Sequence, residues 1–175
     1  MRKRGGLLFF GDSIRLRMPT MGFVRRSCAI AMCALALTGC GGGAQRKNIF
    51  PPGASIQQIS VQADGSWKLQ LRLQNFSNVS TTFAKVEAKI DIAGTDAGNV
   101  DVSPSIRIGP EAADLVEVAL KPSTAAAAKV AALHGSGNVR YKLSGRIVTT
   151  DPGGNHLYAF ESQLSPVPGL NGVLR

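Results

Sequence analysis

The chain has 175 residues, 44% hydrophobic and 18% charged, which excludes a wholly disordered chain and a multi-span membrane protein. Its formal charge of +9 points first to nucleic acid, but residues 1–39 hold seven Lys+Arg against one Asp, and residues 40–175 hold thirteen Lys+Arg against ten Asp+Glu. Two thirds of the excess therefore sits in an N-terminal stretch, and the nearly balanced remainder has too few aromatic residues for a nucleic-acid partner.

The N-terminal stretch reads as a leader. Arg25 and Arg26 precede the ten-residue apolar run Cys28–Leu37. Such a run is half the length of a membrane-crossing helix and matches the apolar core of a signal peptide. Leu37-Thr38-Gly39-Cys40 follows, and this block resembles the lipobox of bacterial lipoproteins. The resemblance implies signal peptidase recognition of Leu37, Thr38, Gly39 and Cys40, cleavage before Cys40, and a diacylglyceryl group on its sulfur. Gly41, in place of the Asp that retains such proteins in the inner membrane, implies an outer-membrane lipoprotein facing the periplasm. Met18 and Met21 are both candidate starts, and Met21 leaves nineteen residues before Cys40. Phe10-Gly11-Asp12-Ser13 looks like the nucleophile block of the GDS hydrolases. However, Ser13 precedes the cleavage point, and neither His134 nor His156 stands in an Asp-x-x-His pattern that would supply its base. With Cys28 and Cys33 in the leader, Cys40 is the one mature cysteine, so no disulfide and no cysteine-based metal site is expected.

Residues 40–54 read as the lipidated Cys40 and a flexible tether, with three glycines and a Pro-Pro pair. Strand patterns follow. Ile56, Ile59 and Val61 open the first, and Asp64-Gly65 turns the chain. Trp67, Leu69, Leu71 and Leu73 alternate with polar residues in strict period two, which predicts a strand with one buried and one wet face. Asn75 to Asn78 is a turn. Val86, Ala88, Ile90 and Ile92 form the next apolar face, and Phe83, out of phase with it, predicts a bulge near Ala84. Gly94 to Asn99 reads as a loop. Val100 to Ile108 reads as a strand broken at Pro104, hence at a sheet edge. Val116, Val118 and Leu120 continue on one face. Residues 123–133 are alanine-rich and predict the one helix, capped by Ser123 or Thr124 and ended by Gly135. Val139 to Ile147 and His156 to Phe160 are the last strands, and residues 166–175 read as a loose tail. About seven short strands predict an all-β, immunoglobulin/fibronectin-III-like antiparallel β-sandwich over residues 55–165, with the helix crossing between sheets.

The strand ending in Asn75, the strand from Val86 to Ile92, the turn at Gly94 and the segment Tyr141-Lys142-Leu143-Ser144-Gly145-Arg146-Ile147 together resemble the late embryogenesis abundant type 2 family. That family includes the water-stress and hypersensitive-response domain and bacterial lipoproteins. Phe76-Ser77 departs from its usual Asn-Pro-Asn. The resemblance implies a sandwich fold, no enzymatic activity, and a part in desiccation and stress protection.

The search for chemistry yields little. His134, at the helix end, and His156 lack neighbours in sequence that would complete a zinc site. Asp91, Asp96 and Asp101 have no calcium-loop spacing. Glu111, Asp114 and Glu117 carry no sign of a tuned acid–base pair. The glycines at 41–43 and 153–154 do not follow a strand–turn–helix phosphate loop. The sequons at Asn75 and Asn78 carry no weight behind a bacterial lipobox. Arg140, Lys142 and Arg146 share a strand face and could meet acidic partners, although a solvated face is the plainer reading. The sequence thus predicts no catalytic residues, metal or cofactor beyond the lipid on Cys40. It predicts two kinds of contact: the membrane through the anchor, and an envelope protein that would pair with the edge in residues 94–110.

Overall fold

The structure is a computed structural model and describes residues 46–133 and 137–175. The leader, the Leu37–Cys40 block, Ser13, His134 and Gly135 lie outside the described residues. Among those described, no helix is long and apolar enough to cross a membrane.

Among the described residues nine strands and one helix follow in order. These are β1 (Gly53–Val61), β2 (Trp67–Gln74), β3 (Thr81–Ile92), β4 (Thr95–Val102), β5 (Ile106–Ile108), β6 (Ala113–Leu120), α1 (Thr124–Ala131), β7 (Val139–Thr150), β8 (Gly153–Leu164) and β9 (Val173–Leu174). One sheet has the order β6-β2-β1-β9, the other β4-β3-β7-β8, and β5 pairs with the start of β3. All pairings are antiparallel. The fold is the expected all-β sandwich with one short helix.

The period-two pattern translates directly into the core. Trp67, Leu69, Leu71 and Leu73 of β2 are buried against Val86, Ile90 and Ile92 of β3 and Leu143 and Ile147 of β7. The bulge expected near Ala84 is present, as a register shift between Phe83 and Lys85 against β7. It rotates Phe83 into the core, where it is fully buried. Ser123 caps α1, its hydroxyl accepting from the Ala126 N–H at 3.3 Å. The helix carries the chain from one sheet to the other and seats Ala126 and Val130 in the core.

Three expectations are corrected. The segment 94–99 is strand rather than loop. Ala93 and Gly94, both at positive φ, form a two-residue hairpin turn, and the polar residues after it are an edge strand with only Ala97 and Val100 buried. The flexible tether does not extend to residue 54. β1 begins at Gly53, and residues 46–50 are already hydrogen-bonded to the 77–78 turn: Asn78 Nδ2 donates to the Arg46 carbonyl at 2.7 Å, Asn78 Oδ1 accepts from the Asn48 N–H at 2.7 Å, and Ser77 Oγ accepts from the Phe50 N–H at 2.9 Å. Residues 166–175 are not loose. Their last residues form β9 against Ile59 and Ser60, and Ser165 and Arg175 exchange both backbone hydrogen bonds. The proline and glycine content that suggested looseness builds the turn that folds this segment back.

Candidate functional site

Two ends of the sandwich differ in chemistry. At one end lie the 62–66 turn, α1 and the C-terminal segment. At the other lie residues 46–52, the 75–80 turn and the β7–β8 turn.

The first end holds an apolar cleft of about 450 Å³. Its floor is Trp67, 1% exposed, one wall is Ala127, Val130 and Leu133, and the opposite wall is the 166–174 segment. Among the described residues no ionisable side chain lines it, and Asn171 supplies its one polar side chain. Gly172 forms part of the wall at φ +72°, with its carbonyl accepting from the Val61 N–H at 2.8 Å. A side chain there would be strained by the backbone and would press on Val61. Such a site can desolvate a neutral apolar group and hold it by contact and by backbone hydrogen bonds. Among the described residues it offers no acid, base or nucleophile. The sequence reading missed it because the residues of its wall were read as a tail; Val173-Leu174 after Gly172 was the available signal.

The second end is organised by Asn75, which is 1% exposed. Its Nδ2 donates to the carbonyls of Val79 and Gly109, both at 2.8 Å, and at 3.3 Å to that of Ile108. Its Oδ1 accepts from the Ser77 N–H at 3.0 Å and from Thr81 Oγ1 at 3.2 Å. One amide thus satisfies the buried backbone of two loops. Phe76, which follows it, is thrown outward and is 53% exposed, its ring lying over Gly53.

Between the ends, the outer face of the β4-β3-β7-β8 sheet carries alternating charge. Lys85 bridges Glu87 at 2.7 Å and Asp101 at 2.9 Å, and Arg146 takes the other oxygen of Glu87 at 2.9 Å. Lys89 pairs with Asp96 at 3.0 Å and Lys142 with Glu161 at 3.0 Å. The Lys85 and Arg146 cations hold Glu87 below the ordinary carboxylate range. Lys89 does the same for Asp96. Lys142 and Arg146 are therefore compensated, and of the three suspected cations only Arg140 has no ion pair among the described residues. The strip is a mixed surface rather than a basic patch.

The remaining candidates are dispersed. Asp91, Asp96 and Asp101 are not gathered, and among the described residues no three His, Cys, Asp or Glu stand together as metal ligands. Glu117 is bound to Lys68 at 2.8 Å on a solvated face, away from Glu111 and Asp114. The His156 ring lies over Gly154, where a Cβ would collide with it. The edge expected in residues 94–110 is partly covered. Ser123 donates its N–H to the Ala97 carbonyl at 3.1 Å and its hydroxyl to that of Asp96 at 2.6 Å, and Lys129 reaches the Ala93 carbonyl at 2.6 Å. Among the described residues β6 and β8 are outer strands with no strand beyond them, and β8, at twelve residues, is the longer.

No family model matches the sequence, and no curated protein matches it. Solved structures of similar outline include a solution structure from Arabidopsis thaliana (10% identity, 74% of this chain and 87% of that one, TM-score 0.44). They also include a crystal structure of a protein from Archaeoglobus fulgidus (10% identity, 69% and 98%, TM-score 0.40) and an X-ray structure of a structural-genomics consortium target (12% identity, 70% and 92%, TM-score 0.38).

Proposed function

We propose that the protein is a membrane-anchored periplasmic lipoprotein whose sandwich is a non-enzymatic binding and protection module of the late embryogenesis abundant type 2 kind, serving desiccation or other stress. The observation that carries the anchoring is Leu37-Thr38-Gly39-Cys40 after a short apolar run with a basic flank. Two acyl chains on one cysteine are enough to hold a domain to a bilayer. The binding role is supported by a cleft that is apolar and free of ionisable groups among the described residues. The family reading is supported by Asn75, which stands where the resemblance places its first motif and acts as the hub of two loops. The experiment is intact-mass analysis of the protein isolated from cell envelopes, together with drying survival of a deletion strain. Cleavage before Cys40, acyl chains on the product, their loss in Cys40→Ser and poorer survival of the deletion strain are the expected results. An unmodified precursor overturns the anchoring, and unchanged survival overturns the stress role.

A second reading, an accessory for assembly of a secretion or envelope machine, is favoured by the β8 edge. It has twelve residues, no proline within it, and Leu157 84% exposed on its surface. One stoichiometric partner in a crosslinked envelope pull-down, lost in Ala159→Lys, would select it over the first.

A further inference from the structure

Seven large hydrophobic residues of the described domain are exposed; Ile49, Phe50 and Phe76 lie where the N-terminal chain leaves it, and Leu157 and Phe160 lie along the neighbouring β8. Ile49 and Phe50 are 56% and 54% exposed on the departing chain, and Phe76 is 53% exposed on the turn that pins that chain. A groove of about 420 Å³, lined by Pro51, Pro52 and Phe76, continues this surface to Leu157 and Phe160 of β8. Arg72 lines the groove, and Arg46 and Lys47, both exposed, precede Ile49 and Phe50 on the departing chain. Among the described residues no acid lines the groove. Of the acids at this end, Asp151 is held by Arg107 at 2.8 Å, and Glu111 and Asp114 stand outside the groove.

The length of chain beyond this surface identifies what covers it. Because residues 46–50 are bound to the 77–78 turn, only residues 41–45 separate the domain from Cys40. That span reaches about 20 Å at full extension and about 13 Å as a glycine-rich coil. A lipid on Cys40 therefore brings the exposed apolar residues to the headgroups. The sequence expectation of a fourteen-residue linker would have let the domain hang free.

We propose that this end of the sandwich is a membrane-contact face, with Ile49 and Phe50 inserted at the lipid interface and Arg46, Lys47 and Arg72 among anionic headgroups. The proposal rests on the reading of Cys40 as the lipid-bearing residue. Aliphatic and aromatic residues rimmed by cations are the composition that binds such interfaces. The geometry also fixes an orientation. The apolar cleft beside Trp67 lies at the opposite end of β1, about 30 Å away for a nine-residue strand, and so faces the aqueous side.

The test uses the full-length lipoprotein, isolated acylated from envelopes and placed in vesicles of phosphatidylethanolamine and phosphatidylglycerol that contain brominated lipid. Trp67, buried in the core, gives a constant background. Tryptophan is added singly as Ile49→Trp, Phe50→Trp and, at the far end, Leu170→Trp, each variant keeping the parent's unfolding midpoint. The added emission is expected to fall about twofold at 49 and 50 and to stay unchanged at 170, as interfacial insertion requires. Acylated protein with no quenching at 49 and 50 overturns the membrane face and leaves the anchoring intact. Blue-shifted emission at 49 and 50 without quenching, which means cover by protein or by a second copy, overturns it equally. A mass without acyl chains overturns both.

Discussion

Tyr141 shows how one side chain ties the two sheets together. Its hydroxyl accepts from the Ile56 N–H at 3.2 Å and donates to the Ile56 carbonyl at 3.3 Å. It thereby satisfies backbone groups of β1 beside the bulge between Ile56 and Gln58. Burial raises its pKa, with the Ile56 contact opposing. Burial also raises that of Tyr158. A raised folded pKa means that the folded state holds its proton longer. The stabilisation is complete below the unfolded value of about 10 and is lost as pH rises toward the folded value. Urea unfolding is expected to show constant stability from neutrality to about pH 10 and a fall above it, and Tyr141→Phe should flatten that fall. At pH 7 the same variant is expected to lose about 1–2 kcal/mol, as Ile56 is left unpaired. Asn75→Ala should cost more, about 2–4 kcal/mol by the same measurement, because several buried loop groups lose their partner at once. The turn at Asn75 was legible in the sequence. The burial of its amide was not, because its partners at 108–109 lie some thirty residues away and only the fold brings them near.

At the scale of elements, pattern and pairing separate. β2 and most of β3 were legible because each has one dry and one wet face, and alternation records that directly. β4 was not, because it is an edge strand of Thr, Asp, Gly and Asn held by its neighbour β3 and by the α1 cap rather than by its own apolar content. β7 shows the reverse. Gly145 lies within a strand whose pattern was clear, yet its role depends on β3, since a Cβ there would collide with the Glu87 carbonyl oxygen. Across the pair on its other side stands Tyr158, whose hydroxyl lies 3.5 Å from the same carbonyl oxygen. Gly145→Ala is therefore expected to force the β3–β7 ladder apart and cost about 3 kcal/mol, read by urea denaturation, with loss of amide protection along β3 and β7. The mobile end of a side chain could yield to a new methyl; a ladder carbonyl cannot do so without breaking its own hydrogen bonds.

For the described domain, the decisive feature is that its first and last residues close opposite ends of the sandwich. The N-terminal residues 46–50 are bonded to the 77–78 turn. The C-terminal β9 seals the other end and forms a wall of the cleft beside Trp67. Leu174, 3% exposed, is the hydrophobic anchor of that closure. Leu174→Ala is expected to cost about 2–4 kcal/mol and to shift Trp67 emission to longer wavelength as water enters the cleft, both measured on the purified protein. Sequence alone carried the all-β class and the one helix of the described residues, because each rests on local composition or on periodicity along the chain. Tertiary structure alone decided that residues 46–50 are bound to the 77–78 turn, that the C-terminal segment folds back to end in a strand, that β8 is an outer strand, and that two of the three suspected cations are already paired. Those properties depend on which distant segments meet, and a one-dimensional pattern carries no record of that.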